Sequence, residues 1–355
     1  MSADETPRSD TPVALADAPA KPDRALAPRR AWTSVVPWAV LIVLYLALVL
    51  RAPNFIHAGP MSILLYSVTI LGVVAMGQVC VILIGGIDLS VSNVMTFTNI
   101  VSASIIGMLA TKGGFFGQHA LLFAVLGCIG IGAVIGVLNG LVITKLSLPD
   151  MIATLAMWTI VYGVMNLYRV LNPKTIDPSS HPSQVLTSFV TKRVIGFVTP
   201  AAIAWIVVAV VLIVVLRKTT FGRQVYAVGL SRGASHAAGI SAVRTTIVLY
   251  AISGVCAAMA GVLLTGSLSH SNLDTGNNYQ LWSIAAVVLG GTSIFGGRGG
   301  YGNTIAGAAI IIVLVNGLLN VLRIGTAAQD ILYGAVILVM LIVFRFGTRR
   351  EDAST

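Results

Sequence analysis

Apolar residues fall into ten long runs, 35–50, 61–84, 89–109, 120–144, 151–171, 198–216, 245–266, 281–294, 303–322 and 327–346, each bounded by short polar stretches. A bilayer core of roughly 30 Å is crossed by about 20 apolar residues in a helix. The pattern therefore predicts an all-α fold, a polytopic α-helical membrane protein of about ten transmembrane helices. The eighth run is short, and the third and fifth are polar enough to be re-entrant or broken. Ahead of the first run, residues 1–34 form a tail whose first thirty residues are rich in Pro, Ala, Asp and Arg without an apolar period. Such a segment cannot bury enough apolar surface to order itself. No small-residue cleavage site follows the first run, so it reads as an anchor and not as a secretory signal. A membrane domain then covers 35–346 and a short tail 347–355.

Composition narrows the class. Only 10% of the 355 residues are charged and 56% are hydrophobic, with a mean hydropathy of +0.92. Soluble domains carry about 25% charged residues, so most of this chain does not face water. The formal net charge of +10 follows from topology. With the N-terminus inside and ten crossings, 15 of the 22 Lys and Arg fall on the inner side and 7 on the outer. That asymmetry obeys the positive-inside rule, places both termini in the cytoplasm and removes the case for nucleic-acid binding. Cys80, Cys128 and Cys256 all lie in apolar runs and read as small hydrophobes. Two outer loops are polar: 172–197, containing NPKTIDPSSHPS, and 267–280, SLSHSNLDTGNNYQ. Either is a connector or a surface for an external partner.

The longest stretch assigned to the inner side is basic and contains no acid: 217–244, RKTTFGRQVYAVGLSRGASHAAGISAVR. It reads as a docking surface for a cytoplasmic partner, although positive-inside topology accounts for its charges alone.

Polar groups inside the apolar runs are the candidates for chemistry. Asp88 stands in LIGGIDLSVS, after Gly85 and Gly86 and before Ser90. A charge at mid-bilayer costs about 2.5–3.5 kcal/mol on insertion scales. Two readings stay open: a helix N-cap, where the carboxylate accepts from orphan N–H groups, or a group lining a solute path at a broken helix. Asp150 and Asp330 also stand near run starts. Gln78, Asn99, Asn139, Asn166, Asn316 and Asn320 suit either interhelical hydrogen bonds or contact with an uncharged, hydroxyl-rich solute. Gly132, Gly136 and Gly140, and Gly254, Ala257, Ala258 and Gly261, form small-residue stripes for close helix packing.

The chain has no G-x-x-x-x-G-K-[ST] loop for ATP, no G-x-S-x-G nucleophile setting and no metal-ligand spacing among its five separated histidines. No catalytic residue and no metal ligand is assigned, and enzymatic activity on this chain is not expected. GGRGG at 296–300 lacks the surrounding fingerprint of an anion-binding loop. An internal duplication does not emerge: LIGG and LGG recur about 205 positions apart, whereas NGL recurs 177 apart.

Several motifs occurring together and in order carry a resemblance: GGIDLSVS at 85–92, GRQVYAVG at 222–229, AAGI at 237–240 and AAVVLGGTSIFGGRGG at 285–300. From the second run to the last, the chain resembles the permease subunits of bacterial ABC importers of the ribose/xylose/arabinose type. The resemblance implies a multi-pass inner-membrane permease, two copies of which form the pore. Its implied partners are a cytoplasmic ATPase with two nucleotide-binding domains and a periplasmic sugar-binding protein. No cofactor is implied on this chain; ATP and Mg belong to the ATPase. It further implies a coupling helix around 231–239 seated in a cleft of the ATPase. The coupling candidates are Gly222, Arg223, Tyr226, Gly229, Ser231, Arg232, Ala238 and Gly239. Similar permeases commonly carry an Asn and an acid where this chain has Ser231 and Arg232-Gly233.

The candidates for the translocation path are Asp88, Ser90, Asn139 and Asn316. The alternatives are a branched-chain amino-acid or nucleoside importer permease and, from another class, an ion-coupled secondary transporter. The latter places ionisable groups well inside its spans, whereas the acids here stand near run ends.

Overall fold

The computed structural model describes residues 29–112, 114–172, 183–268, 273–321 and four positions between 328 and 335. The N-terminal tail over 1–28, the centre of the outer loop at 173–182, Asp330, most of the tenth run and the tail 347–355 lie outside the described residues.

Thirteen α-helices follow one another among the described residues, with no strand: α1 (Arg29–Arg51), α2 (Ala58–Ile82), α3 (Val91–Lys112), α4 (Gly114–Gln118), α5 (Ala120–Lys145), α6 (Asp150–Leu171), α7 (Gln184–Thr191), α8 (Pro200–Lys218), α9 (Thr220–Leu230), α10 (Arg232–Ala237), α11 (Ala242–Ser267), α12 (Asn277–Leu289) and α13 (Tyr301–Ile312). The last continues as a π-helical turn, Val313–Leu319. Seven segments are long and apolar enough to cross a membrane: α2, α3, α5, α6, α8, α11 and α13 with its π turn. Their bounds lie within three residues of the runs in the sequence. The first run is the apolar part, Val35–Arg51, of α1.

Two expectations change. The third and fifth runs are not broken: α3 and α6 are continuous helices of 22 residues each. Their polar side chains find partners, as in Asn99 Nδ2 donating to Thr265 Oγ1 at 2.8 Å and Tyr168 Oη donating to Ser104 Oγ at 2.6 Å. Nor is 217–244 an open loop, since α9 and α10 occupy most of it.

The core forms around α2 and α11. Helix α2 is apolar nearly all round and buried along most of its length, the behaviour of a helix enclosed by others. Helix α11 packs on α2, α3 and, most extensively, α5. The two small-residue stripes meet each other there, because a Cβ at Gly132 would collide with the Gly254 carbonyl, and one at Gly254 with that of Gly132. Helices α5, α6 and α8 have largely exposed apolar outer faces.

Helices α2 and α12 end in the same turn. Gly86 N–H bonds to Val81 O and Gly85 N–H to Ile82 O; 206 positions later Thr292 N–H bonds to Val287 O and Gly291 N–H to Val288 O. Gly85 and Gly291 both have φ of 79°, the left-handed residue that closes a helix in this way. The loop that follows the second turn packs on the first, with Gly297 N–H donating to Leu83 O at 2.8 Å. The recurrence of LIGG and LGG thus corresponds to helix ends of equivalent geometry.

Candidate functional site

Between α2 and α3 the chain runs without helix from Gly86 to Ser90. It climbs beside the first two turns of α6. A Cβ on Gly86 would come within 2.5 Å of Asp150 Oδ2 and 2.7 Å of the Tyr250 hydroxyl. The next carbonyl, of Ile87, accepts from Thr154 Oγ1 at 3.2 Å. At the start of α3, Asn93 Nδ2 donates to Trp158 O at 2.8 Å and Trp158 Nε1 donates to Ser92 Oγ at 3.0 Å. From Asp150 to Trp158 is about 12 Å along a helix.

Asp88 is 1% exposed. Its Oδ1 accepts from Ser90 N–H at 2.9 Å and Ser90 Oγ at 2.6 Å, and its Oδ2 accepts from Ser253 Oγ at 2.7 Å. Asn139 Nδ2 donates to Ser90 Oγ at 2.9 Å. The N-cap position of α3 belongs to Ser90, whose carbonyl takes the Val94 N–H. Asp88 stands two residues earlier and closes an Asx-type turn. Since Ser253 lies near the midpoint of α11, Asp88 is placed deep in the bundle and not, as the runs suggest, near a span end. The chemistry here is that of a sealed latch: three donors converge on one carboxylate and fix an extended segment between α5 and α11.

The structure thus brings three of the four path candidates, Asp88, Ser90 and Asn139, into one cluster. It does not bring Asn316 there. Asn316 sits in the π turn, which packs on α1 and α2, and the neighbouring Gly317 abuts Leu48. Ser253, Tyr250, Trp158 and Gln280 escape sequence reasoning, since a single Ser, Tyr or Trp within an apolar run carries no distinguishing pattern.

The eight coupling candidates occupy one hairpin. Thr219 Oγ1 caps α9 by accepting from Gly222 N–H at 3.2 Å. A Cβ on Gly222 would strike the Leu216 carbonyl, so only glycine lets α9 fold back on the end of α8. Arg223 is exposed. Tyr226 Oη donates to Gly299 O at 2.9 Å; burial pushes this hydroxyl above its usual range, opposed by the Arg217 guanidinium. Gly229 is pressed on the glycine turn after α2 and on the loop after α12, because its Cβ would meet Leu83 O and lie 2.6 Å from Gly297 N.

Ser231 caps α10, accepting from Ala234 N–H at 3.2 Å. Gly239, with φ of 77°, ends it just past Ala238. Every residue of α10 except Ser235 is exposed. Arg232 NH2 lies 3.9 Å from Asp150 Oδ2. The Arg232 side chain is 52% exposed, so the pair adds about 0–1 kcal/mol, but it ties α10 to the start of α6. The α9–α10 hairpin therefore touches the turn after α2, the loop after α12 and the first turn of α6. These are the elements that frame the extended segment 86–90.

Among the described residues, no group of three or more His, Cys, Asp or Glu side chains is placed to hold a metal ion.

Comparison with known proteins fits this arrangement. The chain is 38% identical over 309 residues to the ribose import permease protein of Bacillus subtilis (strain 168), covering 87% of this chain and 92% of that one. It is 36% identical over 291 residues to the fructose import permease protein of Rhizobium meliloti, covering 80% and 78%. It is 31% identical over 319 residues to the L-arabinose transport system permease protein of Escherichia coli (strain K12), covering 89% and 92%. No solved structure matches the chain. The family model for the branched-chain amino acid transport system / permease component matches residues 61–341, and the chain belongs to that family.

Proposed function

We propose that this chain is the permease subunit of an inner-membrane ATP-binding cassette importer that carries a monosaccharide or related polyol. Its similarity over most of its length to permeases named for ribose, fructose and arabinose import supports the sugar class. ATP and Mg are held by a separate cytoplasmic ATPase with two nucleotide-binding domains, and a periplasmic binding protein delivers the sugar. Two copies of the chain form the pore, with about ten spans each and both termini in the cytoplasm.

The observation that carries the mechanism is the position of the α9–α10 hairpin. Helix α10 stands exposed, and behind it Gly229, Tyr226 and Arg232 rest on the glycine turn after α2, on the loop after α12 and on Asp150. Closure of the ATPase around ATP pushes on α10. Because packed cores switch between discrete arrangements and do not deform continuously, the push moves α6, the 83–90 segment and the 290–300 loop as bodies. Asp88, Ser90 and Asn139 keep the extended segment intact during that motion. They shape the path by holding its wall, and Asn316 takes no part in this latch.

The test is uptake by the purified permease, ATPase and binding protein together in liposomes. Uptake of labelled ribose, fructose or arabinose that requires ATP is the expected result. Uptake by the permease alone, driven by a proton or sodium gradient without ATP, contradicts it.

A further inference from the structure

Helix α6 has two dissimilar flanks. Met157, Ile160, Val161 and Val164 border an apolar groove shared with α3 and α5, a surface suited to lipid. On the other flank stand Trp158, Tyr162 and Asn166, spaced four apart and hence stacked along one side of the helix. Tyr162 is 40% exposed and Trp158 half-buried. Their rings are parallel to within 3°, with centroids 5.8 Å apart, so they stack with an offset along this flank.

That pair is not isolated. Trp158 Nε1 donates to Ser92 Oγ, which donates in turn to Gln280 Oε1 at 2.9 Å. Gln280 lies in the first turns of α12, whose start is pinned by Gly276 N–H donating to Thr96 Oγ1 at 3.0 Å. Asn277, in the first turn of α12, is exposed. Ser92 thus links the aromatic pair to Gln280, half-buried at the start of the half-length helix α12 near the exposed Asn277, while Asn166 Nδ2 donates to Tyr162 O and Asn277 Nδ2 to Asp274 Oδ1.

Depth separates two explanations. Tyr and Trp gather at the two membrane–water interfaces, but Trp158 and Tyr162 lie about 12 and 18 Å along a helix about 33 Å long. They sit in its middle, where headgroups do not reach. A phenol at that depth gains nothing from lipid tails.

We propose that the Trp158–Tyr162–Asn166 flank of α6, together with Gln280 and Asn277 of α12, is the solute-contacting wall of the translocation path. Resting on the sugar-importer reading above, the proposal names the chemistry of contact. The C–H face of a sugar ring lies on the exposed face of the Tyr162 ring, which the stacked Trp158 ring supports from behind, while the amides exchange hydrogen bonds with its hydroxyls. Such contacts are weak and sequential, so they guide a sugar without trapping it.

The test uses the full chain in membranes with its ATPase and binding protein. Single substitutions Tyr162→Cys, Asn166→Cys, Ile160→Cys and Val164→Cys are treated with a membrane-impermeant methanethiosulfonate, against the parent chain with its own three cysteines as background. The expected result is labelling at 162 and 166 and none at 160 and 164. Equal labelling of both flanks, or none at 162 and 166, overturns the wall. Tyr162→Leu is expected to lower uptake of labelled ribose, fructose or arabinose about fivefold, with Tyr162→Phe close to the parent and ATP hydrolysis unchanged in both. Unchanged uptake in Tyr162→Leu overturns the sugar contact. Labelling at 162 and 166 as expected, with a parent complex that moves none of the three sugars, refutes the sugar reading and leaves the wall standing.

Discussion

An Asp88→Ala chain is expected to lose nearly all uptake and much of its folded yield. The carboxylate accepts from Ser90 N–H, Ser90 Oγ and Ser253 Oγ in a site that is 1% exposed. Alanine leaves three buried donors unmatched, at about 1–3 kcal/mol each, against a folding stability of about 5–15 kcal/mol for a typical protein. Between Gly86 N–H, bonded to Val81 O, and Ser90 O, bonded to Val94 N–H, residues 87–89 lie in no helix or strand. Asp88→Asn is the milder change, because the amide oxygen still accepts and the Ser253 hydroxyl can turn to accept from the amide nitrogen. Size-exclusion profiles in detergent give the folded fraction, and uptake per folded molecule gives the functional loss. Equal behaviour of Asp88→Ala and the parent contradicts the latch.

Gly229→Trp is expected to separate transport from ATP hydrolysis. The missing Cβ at 229 is what allows α9 to lie against Leu83 O and Gly297 N. An indole there drives the hairpin away from both contacts while leaving the exposed face of α10 for its partner. The predicted outcome is a complex that still assembles and hydrolyses ATP, with uptake reduced by about a hundredfold, the scale of a few kcal/mol of lost coupling. Gly229→Ala shifts the same contact by less and is expected to fall between. Arg232→Glu is expected to have a smaller effect, since it breaks a single exposed pair. Uptake in Gly229→Trp equal to the parent refutes transmission through this contact.

Much of the fold was legible because membrane helices announce themselves by length. The runs 120–144 and 151–171 differ by one residue at an end from α5 and α6. Polarity misled where partners were invisible: α3 and α6 invited a broken reading, yet Asn99 meets Thr265 and Trp158 meets Ser92. Basic composition concealed α9, although Thr219 and Ser231 stand at its ends as N-caps of α9 and α10 and Gly239 marks the stop. The sequence placed Asp88 at a boundary between runs, which is right along the chain and wrong in depth. The climb of residues 86–90 beside α6 is a tertiary fact with no local signal. Ser253 and Tyr250 were illegible for the same reason, as lone polar residues in an apolar helix. The short eighth run was visible, but the docking of its end on Thr304 and on the loop that packs against Leu83 was not.

The central claim is that α10 is the surface through which an ATPase drives this permease. A photo-cross-linking amino acid at His236, on the exposed face of α10, tests it in native membranes, with the cross-linked product identified by mass. The account predicts one product joining this chain to an ATPase subunit, absent when the probe is moved to Val207 on the exposed apolar side of α8. A probe at His236 that captures only lipid, while the complex imports sugar with ATP, contradicts it.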